Sequence, residues 1–407
     1  MSASAPRHCM ILTGGRGTRL GALTDDAPKP MLPVAGQPFL GWLVENLRLQ
    51  GIARITILAG YLGEQIAAFF AGQPDVAVLI EPEPLGTGGA IRFAQQQDAL
   101  TDTFFVINGD TYFDVNLADL AQLAASAPQA VASIALRQMP DTGRYGLVVC
   151  DGERITDFAA RPATQGQPGT VNGGIYCVTR AIADWIGPGM VSLEADVFPR
   201  LVAQGLARAR VYDAPFLDIG VPDDYAYAQH FLPAQLSRPA LFLDRDGVIN
   251  VDIGHLHRVE DFVWIDGALS VIKRASDLGY HVFVVTNQGG VAKGLYDEAA
   301  IAALHGWLVD QVWAAGGHIS GIRYCPHNPL GTVPAYSVTC DWRKPGAGML
   351  LDLIARHRVD VAASVMVGDR ETDMQAAAAA GLRGVLFKGG SLWDTVAPML
   401  SRKEISA

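Results

Sequence analysis

Twice along this chain an apolar, strand-like run ends abruptly in a polar loop, and that junction limits the folds open to it. Residues 8–12 (HCMIL) lead straight into a glycine-rich loop at 12–20 (LTGGRGTRL), and 241–250 (LFLDRDGVIN) deliver Asp244 and Asp246 from a second apolar run. Around the first junction, further strand-like runs occur at 54–59, 76–80 and 104–108. Between them, 39–50 and 62–71 carry apolar residues at helical spacing, and 88–98 predicts a helix opening at a glycine pair. That alternation is the signature of βα units feeding a mostly parallel sheet. From 131 onward the text turns strand-rich (VASIAL, YGLVVC, NGGIYCV), which predicts antiparallel or mixed strands added to it. After 240 the alternation resumes, with strands at 281–286 and 364–368 and helices at 298–313 and 373–380.

A chain of 407 residues exceeds one comfortable core, so two domains are expected. Residues 232–239 (LPAQLSRP) hold two prolines and no coherent period, which places the boundary there and gives domains 1–235 and 236–407. The fold class is α/β, with a Rossmann-like first domain on a mixed sheet and a Rossmann-like second domain. A formal net charge of -10 argues against nucleic-acid or membrane-surface partners, since phosphate binding at scale needs clustered Lys and Arg. No apolar run reaches the length of a membrane-spanning helix, and 1–10 does not read as a signal peptide. Five cysteines, an odd number, do not read as a disulfide framework, so the expected compartment is the cytoplasm.

In the first half, Gly14, Gly15 and Gly17 let the backbone approach phosphate oxygens, and Arg16 and Arg19 add charge beside Thr18. Lys29 follows, clamped between Pro28 and Pro30. A second backbone-exposing loop, 84–89 (PLGTGG), contains Gly86, Thr87 and Gly88. Asp110 sits at the mouth of an apolar strand in 107–110 (INGD), and Asp218 lies in LDIGVPDDY; carboxylates so placed suit magnesium. These motifs, in this order, resemble the sugar-nucleotidyltransferase family with its GGxGTRL…PKPM signature, over about 8–230. The resemblance implies that the 14–19 loop and Lys29 hold nucleotide phosphates, that 85–89 contacts base and ribose, and that Asp110 and Asp218 carry magnesium. It further implies sugar contacts by Asn172 and Glu194. Where such enzymes often carry Glu-Lys-Pro, this chain has Ala160-Arg161-Pro162, and Arg161 keeps the positive charge for a sugar phosphate or remains a solvated surface residue.

In the second half, the i, i+2 spacing of Asp244 and Asp246 aims both carboxylates toward one face, and such a pair can divide nucleophilic and proton-transfer work. Thr286 and Asn287 follow at a strand end, then Arg343 and Lys344 in CDWRKPG, then Asp369 and Asp373 in VGDRETD. The set is similar to the haloacid-dehalogenase phosphatase superfamily over about 238–395. The resemblance implies that Asp244 is the nucleophile, Asp246 the general acid/base, and Thr286 and Lys344 the phosphoryl anchors. Magnesium would sit on Asp244, the Asp246 backbone carbonyl and Asp369, while Asp373 either joins them or orders its loop. Within the superfamily the segments INVDIGHLHRVEDFVWIDGA, TNQGGVAKG, YCPHNP and CDWRKPGAGML look like heptose-bisphosphate phosphatases, relatives of histidinol phosphatases, with Asn287 and Arg343 as substrate contacts. That subfamily commonly binds zinc through Cys-x-His and Cys-x-Cys; here Cys325, His327 and Cys340 stand, but Trp342 takes the fourth place and has no lone pair for a metal. Either water, His255 or His257 completes a zinc shell, or packing around Trp342 holds the loop without metal.

A phosphatase joined to a nucleotidyltransferase makes sense when one makes the other's substrate. The resemblance then implies hydrolysis of a heptose 1,7-bisphosphate at position 7, followed by nucleotidyl transfer from GTP to the heptose 1-phosphate. A sugar phosphate and a nucleoside triphosphate are the expected partners. Two alternatives stay open: a glucose 1-phosphate or mannose 1-phosphate transferase joined to a phosphatase of other specificity, or one half serving as a non-catalytic module.

Overall fold

All six residues of β1 (His8–Thr13) are buried, and the first unit of the chain is built outward from that strand. The computed structural model describes residues 6–15, 17–143, 146–158 and 166–402, and the chain divides into two units, Met1–Pro233 and Ala234–Ala407. After β1 come a two-strand hairpin of β2 (Pro33–Val34) and β3 (Gln37–Pro38), then α1 (Phe39–Leu49), β4 (Arg54–Ala59), α2 (Gly63–Phe69), β5 (Val76–Ile80), α3 (Gly86–Gln96), β6 (Thr103–Asn108), β7 (Thr111–Phe113) and α4 (Leu117–Ser126). The chain continues through β8 (Ala132–Met139), β9 (Val148–Asp151), β10 (Arg154–Phe158), β11 (Gly169–Thr179), α5 (Phe198–Ala203), β12 (Ala207–Val211), β13 (Phe216–Asp218) and α6 (Pro222–Leu236).

Nine of these strands form one sheet in the order β5-β4-β1-β6-β11-β8-β12-β10-β9. The β5-β4-β1-β6 part is parallel, as βα alternation demands, and β11 then joins β6 antiparallel. The sheet is therefore mixed, as the strand-rich text after 131 predicts. Its core holds Phe104, Tyr176 and Phe198, all fully buried, and side chains of that size each contribute roughly 2–3 kcal/mol of burial free energy. A separate ribbon pairs β7 with β13 antiparallel, register Thr111 to Asp218.

The segment expected to be an irregular linker, 232–239, is helical through Leu236, and the division at Pro233 falls inside α6. Proline gives up one helical hydrogen bond. Against that loss, Ala228, Leu232 and Leu236, spaced four apart, are each fully buried. This is a helical period that the two prolines mask in the sequence.

The second unit contains β14 (Ala240–Leu243), α7 (Ala268–Asp277), β15 (His281–Asn287), α8 (Glu298–Ala314), β16 (Gly321–Cys325), α9 (Gly348–Arg356), β17 (Val365–Gly368), α10 (Glu371–Ala379), β18 (Arg383–Leu386) and α11 (Leu392–Val396). Its five strands are all parallel, in the order β16-β15-β14-β17-β18. The strand order reverses about β14, and the crevice beyond the carboxyl ends at such a point is where open α/β sheets bind ligands. No helix among the described residues is long and apolar enough to cross a membrane.

Buried histidines predict acid sensitivity for this fold. His8 is 2% exposed, its Nε2 lies 2.9 Å from Thr56 Oγ1, and burial followed by the charge of Arg54 lowers its pKa to about 4. The unfolded chain, titrating near 6.5, then binds more protons than the folded one, so this group's stabilisation is fully present above pH 6.5 and is lost as pH falls toward 4. Its size is up to about 3 kcal/mol. Denaturant titrations from pH 7 to 4.5 should show a shallower loss of first-unit stability for His8→Gln than for the natural chain. Identical pH slopes would refute the assignment.

Candidate active sites

The carboxyl end of β1 opens into a cavity of about 770 Å³ lined by Gly14, Gly15, Gly17, Arg19, Lys29, Gly86, Thr87 and Asp110, among others. Gly17 has a φ of +65°, and a Cβ there would come 3.0 Å from Cβ of Lys29, so this turn needs glycine for both reasons. Lys29 enters a short turn after Pro28 and is 5% exposed. Its Nζ donates to Asp110 Oδ2 at 2.7 Å and lies 3.5 Å from Asp218 Oδ1. The β7–β13 ribbon is what brings these two carboxylates, distant in sequence, side by side: Asp110 immediately precedes β7 and Asp218 ends β13. Burial, and then the charge of Asp110, raises the pKa of Asp218, while Lys29 and Arg19 oppose that shift. Arg16 and Arg161 lie outside the described residues, as does the side chain of Thr18.

The 84–89 loop becomes the start of α3, and its glycines answer chiefly to protein packing. A Cβ on Gly86 would lie 2.6 Å from the Val191 carbonyl oxygen, and the Gly88 amide donates to that same oxygen at 2.8 Å. Gly88 is thus spoken for by Val191, whereas Gly86 and Thr87 line the cavity. The Thr87 hydroxyl donates to Glu194 Oε2 at 2.8 Å. Glu194 also accepts from Tyr176 at 3.2 Å, and that hydroxyl accepts from Asn172 Nδ2 at 2.7 Å. Asn172 and Glu194 therefore meet through Tyr176, which the sequence did not single out because it reads as one more inward residue of β11. Glu81 is a second residue missed: it follows β5, is 8% exposed and lines the cavity.

In the second unit, Asp244 follows β14, Thr286 and Asn287 end β15, and Asp369 follows β17, so three neighbouring strands deliver their polar residues to one crevice. Lys344 is 4% exposed, and its Nζ lies 2.9 Å from Asp244 Oδ1 and 2.6 Å from Asp373 Oδ1. Burial works against the Lys344 ammonium, but Asp244 and Asp373 outweigh it and raise its pKa. For Asp244, burial together with Asp373 raises the pKa against the pull of Lys344. Asn287 exchanges two hydrogen bonds of 3.0 Å with the Lys344 backbone, so its amide positions that lysine. Thr286 is buried, its hydroxyl accepting from Gln288 at 2.9 Å, and Arg343 donates to the His327 carbonyl at 3.0 Å.

Asp246 is held by the fully buried Arg245 at 2.8 Å, by Asn250 at 3.0 Å and by Gln288 at 3.0 Å. Its carboxylate stands apart from the group formed by Asp244, Asp369 and Asp373, whose oxygens all lie within 4.8 Å of one another. Oδ1 of Asp369 is buried with no hydrogen-bond partner among the described residues. A hard divalent cation such as magnesium fits that oxygen set. Gly247, at φ +85°, keeps the approach open, since a Cβ there would overlap the Asp369 carboxylate. Cys325, His327 and Cys340 also converge within 4.8 Å, a soft donor set that fits three of the four positions of a zinc shell. Trp342 packs over Gly348 and is 37% exposed. His255 lies 3.2 Å from Lys293 Nζ and His257 stacks on Tyr296, and neither belongs to that group.

The Nucleotidyl transferase family matches residues 8–235, and the HAD-hydrolase-like family matches 341–399. The D-glycero-beta-D-manno-heptose-1,7-bisphosphate 7-phosphatase of Rhodopseudomonas palustris is 45% identical over 152 residues, 37% of this chain and 84% of that protein. The protein of the same name from Escherichia coli K12 is 45% identical over 144 residues, 35% of this chain and 75% of its own. Among solved structures, HddC from Yersinia pseudotuberculosis complexed with GMP-PN is 33% identical, covers 55% of this chain and 97% of its own, and has a TM-score of 0.48.

Removing the charge of Lys344 should leave Asp244 and Asp373 facing each other without a counter-ion. Lys344→Met is expected to cost the second unit about 3–5 kcal/mol in EDTA, measured by denaturant unfolding. Magnesium should restore part of that loss by standing in for the missing cation. A loss under about 1 kcal/mol would mean the ion triad is not a structural keystone.

Proposed function

Because this chain belongs to the Nucleotidyl transferase family through residues 8–235 and carries a HAD-type phosphatase domain behind it, we propose that it performs two consecutive steps of heptose activation. The phosphatase domain removes the 7-phosphate of D-glycero-D-manno-heptose 1,7-bisphosphate. The transferase domain then joins the remaining 1-phosphate to GMP from GTP, releasing pyrophosphate. The observation that carries this reading is the likeness of the second unit, over most of their length, to phosphatases named for that bisphosphate. Their 7-specificity leaves the anomeric phosphate in place, and a sugar 1-phosphate is what a nucleotidyltransferase consumes. Cytoplasmic residence accords with five cysteines that are all free.

In the phosphatase domain an Asp244 oxygen attacks the 7-phosphorus, and the sugar alkoxide leaves as Asp246 gives it a proton. Water then attacks the phosphorus of the aspartyl-phosphate while Asp246 takes a proton back, releasing inorganic phosphate. Lys344, bridging Asp244 and Asp373, opposes the burial that raises the Asp244 pKa to about 6, so the nucleophile is ionised above that pH. Asp244, Asp369 and the Asp246 carbonyl, with Asp373 alongside, would hold magnesium, which when bound offsets phosphoryl charge. In the transferase domain no protein nucleophile is needed. A sugar-phosphate oxygen displaces pyrophosphate at the α-phosphorus, Lys29, Arg16 and Arg19 meet the phosphate charge, and Asp110 and Asp218 would hold the metal. The Asn172–Tyr176–Glu194 network lends its polar edge to the sugar, and Arg161 is assigned to its phosphate. Cys325, His327 and Cys340 would hold a zinc ion that fixes the 326–347 connection.

Supplied with heptose bisphosphate, magnesium and GTP, the natural protein should release phosphate and form GDP-heptose. Asp244→Asn should lower phosphate release at least about a thousandfold while sparing transfer from supplied heptose 1-phosphate, and Asp110→Asn should do the reverse. Either variant retaining its assigned activity would refute that site. Elemental analysis should find about one zinc per chain, lost in Cys325→Ser; a zinc-free natural protein after zinc-replete expression would remove the metal from the loop.

A further inference from the structure

The turn that carries Lys29 runs straight into a hairpin that is poorly equipped to hold itself together. In the β2–β3 hairpin Pro33 pairs with Pro38 and Val34 with Gln37, which leaves Ala35 and Gly36 as a two-residue turn. Neither proline has an amide hydrogen, so that pair can form no ladder hydrogen bond. The turn also needs positive φ at both central residues, and Ala35 has φ +48° and Gly36 φ +91°. Glycine adopts such a conformation freely, whereas the Cβ of alanine resists it.

α6 supplies what the hairpin lacks. Tyr225 and Gln229 stand four residues apart on one face of this helix, and both reach the hairpin. The Tyr225 hydroxyl donates to the Pro33 carbonyl oxygen at 2.7 Å, and Gln229 Nε2 donates to the same oxygen at 3.1 Å. Two donors fill both lone pairs of that carbonyl. Gln229 Oε1 accepts from the Ala35 amide at 2.9 Å, at the very residue whose backbone is strained. One side-chain amide thus takes the part of a neighbouring strand. From α1, Trp42 Nε1 donates to the Val34 carbonyl at 2.9 Å.

The same helix stands beside the other end of the lysine. Asp218 ends β13, and α6 begins shortly after it at Pro222. Lys29 Nζ lies 2.7 Å from Asp110 and 3.5 Å from Asp218, while the Lys29 backbone leads within four residues to Pro33, which α6 grips. Leu32 and Val34 are buried, so the segment between cannot shift without disturbing packed side chains. Pro28, Pro30 and Pro33 stiffen it further. A displacement of the hairpin along α6 is therefore passed to the ammonium group.

We propose that Gln229 and Tyr225 are positioning residues for nucleotidyl transfer, acting through the Pro33–Ala35 turn to set Lys29 against the nucleotide phosphates. The inference rests on the nucleotidyltransferase assignment and extends it to two residues that do not line the cavity.

The test uses the full chain with magnesium, and measures GTP affinity by calorimetry and transfer from GTP to heptose 1-phosphate. Gln229→Met keeps the size of the side chain and removes both of its hydrogen bonds. It should lower kcat/KM for GTP about tenfold or more, and Tyr225→Phe about threefold. The KM for heptose 1-phosphate, phosphatase turnover and the unfolding midpoint should keep their natural values. Action through Lys29 makes a further demand: Gln229→Met should weaken GTP binding about fivefold in the natural chain and less than about twofold in Lys29→Met. An equal loss in both backgrounds, or natural transfer rates in folded Gln229→Met and Tyr225→Phe, would overturn the proposal while leaving nucleotidyl transfer in place. Should Lys29→Met not fold, the transfer rates of the other two variants decide alone. A natural chain that binds no GTP would overturn the guanylyl-transfer reading, and this inference with it.

Discussion

In each half of this chain one buried lysine bridges two carboxylates, and the geometry of each crevice hangs on that arrangement. Lys29 serves Asp110 and Asp218; Lys344 serves Asp244 and Asp373. Two carboxylates forced together out of water would raise one another's pKa and lose charge. A lysine between them offsets one of the two formal charges, so each lysine with its two carboxylates carries one formal negative charge. That residual charge would draw a divalent cation. Asp244 stands at a strand end and Asp218 ends β13, while Lys29 comes from the turn after Pro28, Lys344 from the connection between β16 and α9, and Asp373 from the first turn of α10.

The two halves reach the same electrostatic arrangement by different backbone routes. In the second unit a purely parallel sheet reverses its order about β14, and the crevice there collects Asp244, Thr286 and Asp369 from three strand ends. In the first, the parallel part of the sheet supplies the glycine loop, Gly60, Glu81 and Asp110. Asp218 comes from the β7–β13 ribbon, which has no counterpart in the second unit's sheet. The Asn287 amide, reciprocally bonded to the Lys344 backbone, shows how closely such a lysine is supervised.

Much of this was legible because chemistry and local structure coincide in sequence. Asp110, Asp244 and Asp369 each stand where a short apolar run stops, and Gly17 sits where a left-handed turn meets Lys29. Residues whose importance comes from tertiary neighbours were less legible. Tyr176 looks like any inward residue of a strand until Asn172 and Glu194 are seen on either side of its hydroxyl. Gly86 and Gly88 advertised a ligand, yet the atoms nearest their missing side chains belong to Val191, its carbonyl oxygen at Gly86 and its Cγ1 at Gly88. Asn287 suggested substrate recognition, and its bracing of the Lys344 backbone could not be read from the sequence. The helix across 222–236 was hidden by its prolines, although Ala228, Leu232 and Leu236 repeat at one-turn intervals. In each case the missing information is which distant segment comes to lie alongside.

The β7–β13 ribbon also sets an order of assembly. Protein synthesis runs from the amino end, so the glycine loop, Lys29 and Asp110 leave the ribosome long before Asp218 does. Until β13 emerges and pairs with β7, Lys29 faces a single carboxylate and their charges cancel, leaving nothing to draw in a divalent ion. The first unit therefore cannot assemble the Lys29–Asp110–Asp218 cluster as a nascent fragment. The cluster completes itself only when the last strand of the domain docks, and because the ribosome encloses the newest stretch of chain, translation of the second unit, which starts about fifteen residues after Asp218, is by then already under way.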